Sequence, residues 1–237
     1  MLGVFLAVTL AFSSIQTKDV KCEEIKVFFD GSQVICLGKS EIISLVKKAD
    51  RKLLGENLSR VNAELIEQAV EKHSTIENAE VYKTVAKNGN SYKGILAVRI
   101  KYRTPVLRII SGNKSYFLDK DGKQIPISTN YSANVLAVTG KIKERFARDK
   151  ILPFVLYIVE DEFWNAQIEQ IHVNAEDDII LTPLVGGHLI EFGSVDNYQE
   201  KFRNLRAFYE KVLVNNNWNK YNRINLAYKN QVIGIKR

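Results

Sequence analysis

Side chains that could perform catalysis are few in this sequence, and their spacing matches no known catalytic arrangement. Nucleophilic catalysis needs a serine, cysteine or threonine beside a general base, but the three histidines, His73, His172 and His188, stand in no recognised spacing. Ser44 and Lys47 form a Ser-x-x-Lys pattern without its usual Ser-Asp-Asn or Lys-Thr-Gly companions. Phosphate-binding glycine motifs and the nucleophile elbow are absent too. We therefore predict a non-enzymatic protein with no catalytic residue, no cofactor and no small-molecule substrate.

Acidic residues could instead bind a metal ion or share acid and base roles. Asp119, Asp121 and Gly122 begin like a calcium loop, but the glycine comes too early and the distal glutamate is missing. The acidic triplets at residues 160–162 and 176–178 are typical of solvated turns and helix ends. The sequence therefore predicts no metal site.

The charge of the chain favours an anionic partner without selecting one. The formal net charge is +7 and the isoelectric point is about 9.2. Nucleic acid, a membrane surface or an acidic protein would all suit such a charge. The basic residues are spread along the chain, and no zinc-finger or RNA-recognition signature occurs. Nucleic-acid binding is therefore not expected.

The first fifteen residues (MLGVFLAVTLAFSSI) carry no charge. As a helix they would reach about 22 Å, against about 30 Å of bilayer hydrocarbon, and no basic residue precedes them. We expect a few further residues upstream and a single N-terminal membrane anchor over residues 1–17. A cleaved signal ending near Ser13 and a buried N-terminal helix are the alternatives. Outside the cytoplasm, Cys22 and Cys36 could form a disulfide, or each could be a small buried residue.

The region from residue 18 to 104 reads as strand, helix, helix, strand, strand. A strand-like pattern covers residues 20–34, with a turn at residues 30–32. Ser40 and Glu41 can cap a first helix, and Asn62 begins a second. The apolar face of the second helix is predicted to contain Leu65, Ile66, Ala69 and Val70. Strands over residues 76–85 and 94–102 are joined by a hairpin at Asn88-Gly89.

Pro105 breaks the strand pattern and marks the start of a second, β-rich region over residues 105–237. A hairpin within residues 116–127 turns at Asp121-Gly122, and a helical stretch over residues 142–164 should kink or split at Pro153. The other predicted elements are a helix over residues 197–214 and strands over residues 106–111, 114–118, 168–173, 179–183, 188–192, 224–228 and 232–235. The expected fold class is α+β, with a membrane segment, a small β-α-α-β-β domain and a mixed β-rich domain with flanking helices.

The order of these elements and several local motifs resembles the FtsQ/DivIB family of bacterial cell-division proteins. The resemblance covers nearly the whole chain and depends on the order of its motifs. These motifs are LSRVN at residues 58–62, IENAEV at 76–81, RTPVLRI at 103–109, the hairpin at 116–127, LIEFG at 189–193, the helix over 198–213 and RINLAY at 223–228.

The resemblance implies a domain order and a role. Residues 18–104 would form a POTRA domain and residues 105–237 the FtsQ-type β domain. The protein would be a single-pass protein of the cytoplasmic (inner) membrane with its bulk on the periplasmic side. It would act as a divisome scaffold that binds the small coiled-coil proteins FtsB and FtsL during septum formation.

The resemblance also implies a partner site at the last strands and the helix before them. The mapped residues are Tyr228, Lys229, Asn230, Gln231, Val232, Ile233 and Gly234. A strand at a sheet edge has unpaired N–H and C=O groups that another chain can extend. Tyr209 and Trp218, near that helix, could join Tyr228 as aromatic anchors, or all three could pack in the core. A POTRA-bearing export or assembly factor and an unrecognised secreted hydrolase are the rival functions.

Overall fold

The computed structural model describes residues 20–30, 37–89, 91–128, 132–213 and 218–237. The chain divides into two compact units, Met1–Arg103 and Thr104–Arg237. The expected anchor over residues 1–17 and Cys36 lie outside the described residues. Within the described ranges, no helix combines the length and the apolar character that crossing a membrane requires.

The first unit has the predicted order of strand, helix, helix, strand, strand. Its elements are β1 Cys22–Phe29, α1 Lys39–Ala49, α2 Ala63–Glu71, β2 Ile76–Asn88 and β3 Ser91–Tyr102. The sheet order is β1-β3-β2, with β1 parallel and β2 antiparallel to β3. The small mixed α+β domain expected at this end of the chain is therefore confirmed.

Local sequence accounts for both helices of this unit. The Asn62 side chain accepts a hydrogen bond from the Leu65 amide at 3.1 Å and so caps α2. Ile66 and Val70 are fully buried, but Leu65 is 49% exposed, so its expected place on the apolar face is wrong. It lies on the solvent side of the stripe that Ile66 and Val70 form. Cys22 is a buried free thiol.

Among its described residues, the second unit contains nine strands and a set of helices. The strands are β4 Pro105–Ser111, β5 Lys114–Asp119, β6 Gln124–Pro126, β7 Leu136–Gly140, β8 Ile168–Val173, β9 Ile179–Pro183, β10 Leu189–Gly193, β11 Tyr221–Asn225 and β12 Ile233–Lys236. The helical segments are α3 Glu144–Phe146, a π-helical turn over Ala147–Ile151, α4 Leu152–Glu160, α5 Glu162–Gln167, α6 Tyr198–Phe208 and a π-helical turn over Tyr209–Leu213.

The nine strands form one sheet in the order β12-β11-β10-β9-β8-β7-β4-β5-β6. The pairs β4–β7, β7–β8 and β10–β11 are parallel and the others antiparallel. The strand β7 was not predicted. β7 pairs with β4 and β8 only in parallel, and parallel strands are joined by long connections. No hairpin turn in the sequence therefore marks its position.

The core of the second unit lies between the helices and one face of the sheet. Phe154 of α4 and Phe202 of α6 pack against Phe192 of β10, with the rings of Phe192 and Phe202 4.9 Å apart, and Trp164 of α5 packs against Phe202. The inward positions of neighbouring strands form a continuous apolar row from Ile109 in β4, across the sheet, to β11. The β-rich domain with flanking helices is thus confirmed.

Two sequence-based boundaries of this unit differ from the structure. Of the kink or split expected at Pro153, the split is wrong, because a π-helical turn precedes α4 and the Leu152 amide bonds to the Ala147 carbonyl. The chain breaks instead at Asp161, whose carboxylate accepts from the Trp164 amide at 3.0 Å and begins α5. The penultimate strand ends at Asn225, three residues before the predicted end.

Candidate functional site

The last strand of the chain forms one edge of the nine-stranded sheet. In the part of the chain that the structure describes, β12 pairs with β11 alone, with Arg223 opposite Ile235 and Asn225 opposite Ile233. Alternate residues of an edge strand direct N–H and C=O groups away from the sheet. β12 therefore offers main-chain hydrogen-bonding groups to another extended chain.

On the inward face of β12, Gly234 lies close to two aromatic rings. Gly234 lies opposite the fully buried Ile224. A Cβ atom on Gly234 would lie 2.5 Å from Cε1 of Tyr221 and 3.3 Å from Cζ of Phe208. These two rings pack edge to face with centroids 5.5 Å apart. The absence of a side chain at residue 234 thus lets the aromatic pair lie directly against the strand.

The outward face of the same strands carries three exposed apolar side chains. Leu189 is 39% exposed, Ile233 40% and Ile235 45%. The register places Leu189, Arg223 and Ile235 in one row across β10, β11 and β12. An apolar surface beside an open strand edge is suited to bury part of a partner's side chains when that partner pairs with the edge.

A polar cluster lies between these apolar side chains. The Glu191 carboxylate accepts hydrogen bonds from the Arg223 guanidinium and, at 2.8 Å, from the side-chain amide of Asn225. The Glu191 carboxylate thus pairs with the charge of Arg223 across β10 and β11. Sequence reasoning missed this cluster. Alternation along LIEFG indicates that Glu191 faces away from the core, but the parallel pairing of β10 with β11, which brings Arg223 beside it, leaves no local signal.

Most of the sequence-predicted partner residues lie in the turn before β12. Tyr228, Lys229, Asn230 and Gln231 connect β11 to β12, and Val232 leads into the strand. Tyr228 is 60% exposed, Asn230 has a φ angle of 59°, and the Gln231 amide bonds to the Tyr228 carbonyl at 3.4 Å. Ile233 and Gly234 are the first two residues of β12. The structure therefore brings these seven residues together, four of them in a turn instead of the edge strand.

The turn also borders a small depression next to α6. It has a volume of about 150 Å³ and is lined by residues 226–231 together with α6 residues that include Glu200 and Lys201. The Lys201 ammonium donates hydrogen bonds to the carbonyls of Phe192 at 2.9 Å and Ser194 at 2.7 Å. Burial lowers the pKa of Lys201. The lysine thus holds the loop that leads from β10 into α6 and lines the depression beside the turn.

Tyr209 and Trp218 occupy different environments from Tyr228. Tyr209 is only 3% exposed, and its hydroxyl shares a hydrogen bond of 3.0 Å with Nε2 of His188. Burial raises the pKa of Tyr209. Trp218 is partly exposed and packs edge to face on Tyr209, with centroids 5.2 Å apart. Tyr209 thus lies in the core beneath Trp218, and Tyr228 is the aromatic residue that an incoming chain could reach.

The rim of the edge is basic. Lys229 and Lys236 are exposed at the two ends of the β12 segment, and Lys220 and Arg237 are exposed beside them. The Arg237 amide bonds to the Lys220 carbonyl at 3.1 Å, and its guanidinium bonds to the Gly187 carbonyl at 2.8 Å. These contacts hold the last residue against the sheet. The edge therefore favours a partner with acidic side chains.

The edge strands β2 and β6 and the start of β1 are closed or poorly suited to pairing, among the residues that the structure describes. In β2, the Ala79 amide donates to Glu71 at 3.0 Å and the Val81 amide to Glu67 at 2.7 Å. The rest of β2 carries exposed lysines, which disfavour edge pairing. The start of β1 is bonded to the turn at residues 55–58, and β6 has three residues that include a proline. β12 is thus an open apolar edge of the nine-stranded sheet in the described part of the chain.

The described residues contain no group of three histidine, cysteine, aspartate or glutamate side chains placed to hold a metal ion. The Asp119 carboxylate accepts from the amides of Asp121 at 2.9 Å and Lys123 at 2.7 Å, so the calcium-like sequence forms a hairpin turn. His73 bonds to Thr75, in the first unit, and His188 to Tyr209, in the second. Among the described side chains, the arrangement that the geometry supports best is therefore a binding edge.

Comparison with known protein families assigns both units. Residues 104–234 match the family model described as FtsQ/DivIB, C-terminal related, and residues 20–89 match the model of a POTRA-like domain. No curated protein matches the chain. The two matched regions appear in the order that the sequence motifs predict.

Proposed function

The chain belongs to the FtsQ/DivIB family, and we propose on this basis that it is a divisome scaffold that binds FtsB- and FtsL-type coiled-coil partners. Membership of the family indicates a role in cell division, and POTRA-like and FtsQ/DivIB domains generally act as non-enzymatic scaffolds. We propose specifically that the chain binds these partners and that it does so outside the cytoplasmic membrane.

The open edge at β12 is the observation that supports the proposal most directly. Its main-chain groups face away from the sheet, and Ile233 and Ile235 are exposed beside them. A partner segment that adds a strand to this edge gains affinity from main-chain hydrogen bonds and specificity from alternate side chains. The partner surface therefore comprises β12, the exposed Leu189 and the turn that carries Tyr228.

The side chains around the edge define the partner segment. Its apolar residues would occupy alternate positions, because Ile233 and Ile235 lie two residues apart on one face. Acidic residues near its ends would approach Lys229 and Lys236. Such an amphipathic extended segment could follow the coiled-coil part of an FtsB-type protein.

The proposal also includes the placement of the chain. Residues 1–17 form a single anchor in the cytoplasmic membrane, residues 18–104 the POTRA-like domain and residues 105–237 the β domain on the outer side. The uncharged sequence of residues 1–15 supports the anchor, and proteins of this family are typically membrane-associated.

Hydrogen–deuterium exchange on the full chain tests the partner surface. The extracytoplasmic region of an FtsB-type protein is added, and amide exchange is followed by mass spectrometry. We expect exchange in β12 and in residues 226–232 to slow, because the added strand forms hydrogen bonds with the edge. Exchange in β6, at the opposite edge of the same sheet, should not change. Binding without slower exchange in β12 would refute the edge, and the absence of binding would refute the partner class.

A further inference from the structure

In the first unit, the hairpin of β2 and β3 extends beyond the first residue of β1. Cys22, the first residue of β1, lies opposite Gly94 of β3, and the Gly94 amide bonds to the Lys21 carbonyl at 3.0 Å. β3 begins three residues earlier, at Ser91, where it pairs with Asn88 of β2. At about 3.3 Å per residue, the hairpin tip extends about 10 Å beyond the start of β1.

A turn between α1 and α2 is fixed at the same end. The Leu58 amide bonds to the Val20 carbonyl at 2.9 Å, the Cys22 amide to the Glu56 carbonyl at 2.9 Å and the Gly55 amide to the Cys22 carbonyl at 2.8 Å. These bonds join the turn to residues 20–22 as a short ladder. The turn and the hairpin tip therefore flank the residues through which the chain enters the unit.

Both elements expose a large side chain among cations. Leu54 of the turn is 46% exposed, and Tyr92 of the hairpin is 44% exposed. Arg51 and Lys52 are exposed beside Leu54, and Lys87 is directly opposite Tyr92 in the β2–β3 pairing. Aliphatic or aromatic side chains next to lysine and arginine are characteristic of surfaces that contact the membrane interface.

The short sequence before the first described residue limits how far this end can lie from a membrane. Only residues 16–19 separate the uncharged stretch of residues 1–15 from Val20. Five residue steps span at most about 18 Å. If residues 1–15 are inserted, as in the proposed function, Val20 must lie within that distance of the headgroups. The hairpin tip, about 10 Å further along the strand direction, can then come within the electrostatic range of about 8 Å at physiological salt.

We propose that this end of the first unit rests on anionic phospholipid headgroups. The contact surface, here called the lipid-facing end, is defined by Lys21, Arg51, Lys52, Leu54, Lys87 and Tyr92. The cations attract the headgroups, while Leu54 and Tyr92 enter the interface. The contact would set the orientation of the POTRA-like unit relative to the membrane. The inference depends on the membrane anchor of the proposed function.

Lysine acylation of the full chain in vesicles tests the lipid-facing end. The chain is reconstituted in vesicles of phosphatidylcholine alone or of phosphatidylcholine mixed with phosphatidylglycerol, and each lysine's labelling rate is measured by mass spectrometry. We expect Lys21, Lys52 and Lys87 to be labelled about fivefold more slowly in the anionic vesicles, the factor that one cation contributes near such a surface. Lys39 and Lys72 are internal controls, because α1 begins and α2 ends at the opposite end of the unit, near Tyr102 and Ile76.

Two charge-matched variants separate a specific surface from a general charge effect. The double substitution Arg51→Glu with Lys52→Glu should abolish the slower labelling of Lys21 and Lys87, while Lys39→Glu with Lys72→Glu should preserve it. Equal labelling in both vesicle types, or equal loss in both variants, would overturn the inference. Resistance to alkaline extraction reports on the anchor separately. A chain that is extracted refutes the anchor, and with it the inference, whereas an integrated chain without lipid-dependent labelling refutes the inference alone.

Discussion

Replacing the two exposed isoleucines of β12 with threonine should weaken partner binding about 30-fold without unfolding the β domain. Burying a whole isoleucine side chain contributes about 1.5–3 kcal/mol. Ile233 is 40% and Ile235 45% exposed, so the part of each that a partner can still bury contributes about 1 kcal/mol. Threonine removes most of that apolar area but retains the β-branched shape that suits a strand. A loss of about 2 kcal/mol corresponds to roughly 30-fold in Kd.

Calorimetric titration of the full chain with the extracytoplasmic region of an FtsB-type protein measures this change. Ile127→Thr is the matched control, because Ile127 is also 40% exposed and follows β6 at the opposite edge of the sheet. The free energy of unfolding should change by less than about 0.5 kcal/mol in each variant, as expected for exposed sites. A double variant that binds within about twofold of the wild type (about 0.4 kcal/mol), or a control that weakens binding equally, would refute the reasoning.

Three further predictions concern the folded state. Burial lowers the pKa of His188, so below about pH 6.5 the unfolded chain binds more protons than the folded chain and stability falls as the pH falls. The urea midpoint of unfolding should therefore be lower at about pH 5 than at about pH 7.5. This difference in midpoint should be smaller in the His188→Gln variant. Replacing Glu67 and Glu71 with alanine should free two edge amides of β2 and increase the sedimentation coefficient through pairing with a second copy. Glutamine at both positions retains the accepting oxygens and should prevent that increase, and association of both variants would contradict the explanation. Gly234→Ala should lower the free energy of unfolding by about 1–3 kcal/mol, since its Cβ would lie 2.5 Å from the Tyr221 ring. An unchanged urea midpoint would contradict this last expectation.

Elements with a local signal were predictable from the sequence. Asn62 caps α2 as its side chain predicts, and Gly89 adopts the positive φ angle of 60° that an Asn-Gly hairpin requires. The strands around Gly112 and Gly122 also turn where the glycines indicate. In each case the residues that determine the structure lie within a few positions of each other, so the information is contained in a short window of sequence.

Elements defined by distant pairing were not predictable in the same way. β7 contributes one fully buried side chain, Val138, and is held by parallel pairing to β4 and β8. β7 is five residues long, and no hairpin signal in its sequence links it to β4 or β8. The π-helical turn before Pro153 was not predicted either, although it is local, because hydrogen bonding between residues five apart has no signature in this sequence.

The site illustrates the same difference. The position of β12 near the end of the chain is visible in the sequence, as is its pair of isoleucines. Its position at the edge depends on α6 crossing over the sheet so that β11 lies parallel beside β10. That pairing also creates the Glu191–Arg223 cluster, which no spacing along the chain could indicate.

An open apolar edge can pair with a second copy of the chain or with a different partner. The charges around β12 oppose pairing with a second copy. Lys229 and Lys236 lie at the two ends of the segment, so two copies paired through this edge would bring like charges together. Like charges across an interface oppose the wrong pairing, and a strand of four residues offers few hydrogen bonds to offset that repulsion. An acidic segment avoids the repulsion and gains the same main-chain bonds. The arrangement at β12 therefore favours a different, acidic partner over self-association.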